Sequence, residues 1–144
     1  MIVLDASVLV KLFKNEGDSA LARQFINVQL LDKKDAFLAP SILIYETLSA
    51  ALHVEQPFDR ITALLDHLRT LGLMIEDPKA TELILAERIA RTEAPGGGFP
   101  TLFDSIYHAM AIERNATLIT ADQRHIGKAG GFGHILQLAD WRPA

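Results

Sequence analysis

Met1-Ile2-Val3-Leu4-Asp5-Ala6-Ser7 opens the chain with an apolar run that stops on an acid. Three apolar residues are too few for a helix, so 2–4 read as a short buried strand with Asp5 at its C-terminal end. A buried strand has no ordinary use for a charge at that point. The same kind of run returns four times: at 36–39, ended by Pro40, and at 73–75, 116–120 and 135–138. Helical patterns lie between these runs. Ser7 is placed to cap a short helix over 8–13. After Gly17, Asp18 or Ser19 restarts a helix to about 31, with Leu21, Phe25 and Val28 at helical spacing. Ser41 caps a helix over 41–55, and Pro57 starts another over 57–70 that Gly72 stops. Pro78 fits the first turn of the next helix, reaching about 92. Thr101 begins a helix carrying Phe103, Ile106, Tyr107 and Met110, and Asp122 caps a short one through 126. Short apolar strands alternating with helices predict an α/β fold with a mostly parallel sheet covered on both faces.

Composition bounds the rest. The 144 residues are 49% hydrophobic and 22% charged, enough for a real core and too few for two ordinary domains. Cys is absent, which excludes disulfides and zinc held by thiolates. The opening segment lacks the basic start and long apolar stretch of a signal peptide, and no run approaches a membrane span. The expected setting is the cytoplasm, with no membrane partner. Net charge is −4, which argues against a protein that merely coats nucleic acid, though not against a nuclease with carboxylates in its cleft.

In a parallel sheet the C-terminal strand ends share one edge, where ligand crevices form. Asp5 ends the first strand and Asp122 follows the fourth. Glu46 and Asp104 stand in the early turns of two helices that open towards the same edge. Four carboxylates brought together repel one another and raise each other's pKa, and a divalent cation offsets that cost. Oxygen-only ligation suits Mg²⁺ or Mn²⁺. Each acid also has a plainer reading. Asp104 suits the electrostatics of a helix N-terminus, Asp122 suits an N-cap, and Glu46 needs only an internal Arg as partner. Asp5 has the fewest alternatives.

These residues form a recognisable pattern. Ile2-Val3-Leu4-Asp5-Ala6-Ser7, the Ala39-Pro40-Ser41 turn leading to Glu46, the helix from Phe103-Asp104 to Met110-Ala111, and Leu118-Ile119-Thr120-Ala121-Asp122 resemble a PIN domain in order and spacing. The resemblance spans essentially all of 1–144 as one domain and is nearest to the VapC-type toxins of prokaryotic toxin–antitoxin pairs. It implies a three-layer α/β/α sandwich around a mostly parallel five-stranded sheet. It also implies an endoribonuclease using one or two Mg²⁺ or Mn²⁺ ions. By the match Asp5, Glu46 and Asp104 are the core ligands and Asp122 completes the site, with Ser7, Ser49 and Thr120 as polar support. Ser49 stands where many relatives have Asn, which puts its hydrogen bond to the site in doubt. The implied partners are RNA, a VapB-like antitoxin that inserts a segment towards the site, and a second copy in a homodimer.

Outside the acids the sequence says less. Lys11, Lys14 and Arg124, with His125 and Lys128 beyond, are candidates for RNA phosphates and equally for ordinary surface. His108, four residues after Asp104, is expected to pack or to bond Asp104 rather than to ligate. The glycine-rich stretch at 96–98 either shapes the substrate entrance or is a plain solvent loop. The competing functions are an RNA-processing nuclease without an antitoxin and a non-catalytic PIN-like module. A haloacid-dehalogenase-like phosphatase ranks low, because that chemistry wants an acid two residues after the nucleophilic Asp and Ser7 stands there.

Overall fold

The computed structural model describes all residues, 1–144. Five strands, β1 (Ile2–Leu4), β2 (Phe37–Pro40), β3 (Leu73–Glu76), β4 (Thr117–Thr120) and β5 (Ile135–Gln137), form one sheet in the order β3-β2-β1-β4-β5. Every neighbouring pair is parallel, with Val3 opposite both Leu38 and Leu118. The helices are α1 (Ala6–Leu9), α2 (Ser19–Asp32), α3 (Ile42–His53), α4 (Phe58–Leu71), α5 (Ala80–Ala90), α6 (Leu102–Glu113) and α7 (Gln123–Ala129). The arrangement is the α/β sandwich expected.

Consecutive residues of β1, β2 and β4 are buried, and successive strand side chains point to opposite faces. Both faces of the central sheet are therefore covered, which is why these strands read as continuous apolar runs. One core of 26 buried residues surrounds the sheet, and a second of six joins α5, α6 and α7. Helix α6 serves both. Tyr107, Met110 and Ala111 belong to the sheet core, and Ile106 and Ala109 to the smaller one. Wedged between two cores, α6 presents its first turn at a fixed place on the sheet edge.

Two local expectations change. Asp5, not Ser7, is the N-cap of α1, which becomes a 3₁₀ turn at Val10–Leu12 instead of continuing as one helix. Pro78 lies before α5, whose N-cap is Lys79. The glycine-rich stretch from 127 forms the end of α7 and a 3₁₀ turn, Gly130–Phe132, before β5. No helix is long and apolar enough to cross a membrane.

Candidate active site

Asp5 emerges between β1 and β4, its amide donating to the Ile119 carbonyl at 3.1 Å. The side chain is buried, and Oδ2 accepts from Ser7 Oγ at 2.7 Å and Thr120 Oγ1 at 2.6 Å. Both hydroxyls are themselves held. Ser7 Oγ accepts from the Ala121 amide at 2.9 Å, and Thr120 Oγ1 from the Asp122 amide at 3.0 Å. One network thus fixes the Asp5 carboxylate to the end of β4 and leaves Oδ1 without a protein donor. Burial pushes the Asp5 carboxyl up to about 7 against these two donors, and the nearby Asp104 and Glu46 push it the same way.

Glu46 comes from α3. Its Oε1 accepts from the buried Tyr107 Oη at 2.7 Å across the sheet edge. Burial raises its pKa, Asp104 and Asp122 add to the rise, and the Tyr107 bond opposes it. Asp104 stands in the first turn of α6, with its amide donating to Thr101 Oγ1 at 3.2 Å and that hydroxyl donating back to Oδ2 at 2.9 Å. Burial and the neighbouring Asp122 raise its pKa despite Thr101. Asp122 caps α7, Oδ1 accepting from the amides of Arg124 at 3.0 Å and His125 at 3.3 Å.

The four carboxylates therefore feel one another, and no Lys or Arg nitrogen lies within 4.0 Å of any of them. Asp104 and Asp122, with Thr101 and Pro100, line a polar cavity of about 140 Å³ to which Arg124, His125 and Lys128 also contribute. The donor set is all oxygen and anionic and forms no ion pair with Lys or Arg, which fits a hard divalent cation. As they stand, no three Asp, Glu or His side chains are grouped to hold one ion. Asp104 and Asp122 are turned instead to the donors of their own helix starts.

The PIN-domain family model matches residues 2–131. The chain belongs to the PIN-domain family. No curated protein matches it. Among solved structures it resembles a chain of a toxin–antitoxin complex from Klebsiella pneumoniae, with a TM-score of 0.66, 16% identity, and 96% of this chain and 98% of that one covered. It also resembles Mycobacterium tuberculosis VapC20, a toxin that cleaves the sarcin–ricin loop. There too the TM-score is 0.66 and the identity 16%, with 92% and 95% covered. At that identity the likeness speaks for the fold alone.

Within this PIN domain several expected residues stand elsewhere. Lys11 is buried and paired with Glu16 and Asp18, each at 2.8 Å, so its charge is used internally and is not offered to RNA. Lys14 is exposed beside the same Glu16 at 3.3 Å and does not line the acid cavity. Ser49 is exposed on α3 and makes no side-chain hydrogen bond, so it lends the acids no support. Arg124 does reach the acid cavity. His108 turns away from Asp104. Its Nε2–H donates to the Gly133 carbonyl at 2.7 Å, which leaves Nδ1 to accept from His125 Nε2–H at 2.9 Å. Burial pushes the His108 imidazole down to about 4, and His125 Nδ1 is left buried without a partner. Tyr107, which the sequence marks only as a core residue, is the hydrogen-bond partner of Glu46. Its place one helical turn after Asp104 was the available signal.

Proposed function

We propose that this chain is a Mg²⁺- or Mn²⁺-dependent endoribonuclease and the toxin of a toxin–antitoxin pair, acting in the cytoplasm. The observation that carries the catalytic reading is the group of four carboxylates from four separate elements, at one sheet edge, none of them in an ion pair with Lys or Arg. A fold that only needed stability would have paired or removed the buried Asp5.

In this reading Asp5, Glu46, Asp104 and Asp122 hold the ion or ions. Bound Mg²⁺ or Mn²⁺ lowers the pKa of water and stabilises charge on the entering and leaving oxygens of a phosphodiester. Asp5 offers Oδ1 while Ser7 and Thr120 hold Oδ2, so its direction is set before any ligand arrives. Tyr107 does the same for Glu46. Asp104 and Asp122, now bonded to the donors of their own helix starts, would supply the remaining carboxylate oxygens to an ion. In-line attack on phosphorus leaves a 5′-phosphate and a 3′-hydroxyl, and no histidine base is needed, consistent with the buried, neutral His108.

The names of the two structural neighbours, a toxin–antitoxin complex and a toxin, support the partner reading. Tyr45 and Leu52, 68% and 67% exposed on α3, support a homodimer seam on that helix. The test is cleavage of total RNA by purified protein with Mg²⁺ or Mn²⁺. Loss of cleavage in EDTA, and in Asp5→Asn and Asp104→Asn, is expected. Cleavage that survives EDTA or Asp5→Asn overturns the proposal. Capture of a small protein encoded beside this gene, with inhibition of cleavage, tests the antitoxin.

A further inference from the structure

Next to the acid cavity lies a second one of about 280 Å³, between the chain at Thr92–Pro95 and the end of α7 with its following turn. Lys128 lines both cavities and makes no ion pair. Its stem runs beside the glycine-rich loop, where a Cβ on Gly98 would meet Lys128 Cε at 3.9 Å. That loop is closed on itself by Ala94 N–H to the Gly98 carbonyl at 2.8 Å and Gly97 N–H to the Ala94 carbonyl at 2.9 Å. Of this loop Pro95 lines the cavity, beside Thr92 and Glu93.

The other wall is made by Gly127 and Gly131, and neither needs to be glycine for its own sake. Neither has a positive φ, and a Cβ at either meets nothing within 4 Å. Gly127 sits inside α7, where glycine costs about 1 kcal/mol relative to alanine. The return for that cost is a flat, open face. Phe132 adds an apolar ring to the lining, and Glu93, exposed and in no ion pair, adds a carboxylate.

The geometry points to a nucleotide subsite beside the acid centre: the slot takes one nucleobase of the RNA, and Lys128, with Arg124, holds the phosphate between base and acids. The side-chain-free face at Gly127 and Gly131 fits one side of a planar ring, and the unpaired Glu93 carboxylate is the natural acceptor for the paired N1–H and N2–H donors of guanine. Guanine is therefore the base selected. Lys128 acts on the phosphate and does not read sequence. The inference rests on the nuclease reading and adds to it where the strand lies and which base it favours.

The test uses ¹⁵N-labelled full-length protein in EDTA, titrated with guanosine, GMP, AMP, CMP and UMP, with glycine amides as reporters. GMP is expected to shift Gly127 and Gly131 at the lowest concentration, several-fold below the other nucleotides. Lys128→Ala should bring GMP down to the affinity of guanosine, and Glu93→Gln should level the base preference. Gly131→Leu should fill the slot and abolish the shifts while leaving the melting temperature unchanged. Shifts confined to other surfaces, or GMP binding unaltered in a folded Gly131→Leu, overturn the subsite. RNA cleavage measured on the same preparations separates the two ideas. Metal-dependent cleavage by a protein whose slot ignores all four nucleotides overturns the subsite alone.

Discussion

Glu82 in α5 is 1% exposed and Asp5 at the end of β1 is 6% exposed, yet their surroundings differ in kind. Arg114 reaches Glu82 with two nitrogens, at 2.8 and 3.1 Å, and also pairs with Glu76 at the end of β3. The Lys79 amide adds a bond at 2.8 Å. Burial alone would push the Glu82 carboxyl up, but Arg114 and Lys79 hold it below the usual range. Asp5 receives two neutral hydroxyls and two like charges, and rises to about 7. One buried acid is compensated within the fold and ties α5 to α6 and β3. The other is compensated by nothing in the chain. That contrast is the strongest physical sign that the Asp5 edge serves a ligand and not the architecture.

The sharpest way to break the comparison is to neutralise each acid. Asp5→Asn is expected to reduce Mn²⁺-dependent RNA cleavage by at least about 1,000-fold, the loss of several kcal/mol of charge stabilisation. Its metal-free fold should nonetheless melt higher than the natural protein at pH 8. A variant that loses both activity and stability would place Asp5 among structural acids, with Glu82. The opposite signature belongs to Arg114. Arg114→Met leaves Glu82 buried without its cation and should cost about 3–5 kcal/mol in denaturant unfolding. Mn²⁺ affinity of its folded fraction should be unchanged.

Proton linkage gives the next effect. The folded-state pKa of Asp5 lies about three units above its unfolded value, so the native state binds the extra proton between roughly pH 4 and 7. Metal-free stability should therefore fall as pH rises through that window, by about 4 kcal/mol at most at 1.36 kcal/mol per unit. Saturating Mn²⁺ should flatten or reverse the slope, because the cation favours the ionised carboxylates. Chemical denaturation at pH 5 and pH 8, with EDTA and with Mn²⁺, measures all four corners. A metal-free protein equally stable at both values would contradict the burial of an unpaired Asp5.

The same contrast explains what was legible in the sequence. Asp5 and the strands it belongs to could be read because β1 and β4 are buried on both faces, so an acid beside their apolar runs stood out. Glu46, Asp104 and Asp122 followed from the shared edge of a parallel sheet and from the family pattern. The partners of these acids did not. Nothing in local spacing tells that Lys11 turns inward to Glu16 and Asp18, or that Arg114 crosses to a glutamate 32 residues earlier. Ser7 was misread as a cap because capping and hydrogen-bonding to Asp5 ask for the same hydroxyl at nearly the same position. His108 packs, as expected, but its hydrogen-bond partners could not be read. Helical spacing put it near Asp104, but its buried face meets His125 and Gly133, whose approach depends on the turn after α7.

Tyr107 offers the finest test, since it belongs to both halves of the comparison: a core residue by burial and a partner of the site by its hydroxyl. Tyr107→Phe keeps the ring and its packing and removes the hydroxyl that donates to Glu46. That donor favours the ionised carboxylate, so its loss should raise the Glu46 pKa further. Mn²⁺ affinity should then fall by about 10-fold, the usual scale for a ligand's supporting hydrogen bond. The deficit should be larger at pH 6 than at pH 8, because protons compete for Glu46 more strongly at the lower value. Calorimetric Mn²⁺ titrations of both proteins at the two pH values decide it. Equal affinities throughout would make Tyr107 a packing residue whose hydroxyl merely finds the nearest acceptor. A pH-dependent deficit without loss of stability would show the core itself orienting the site.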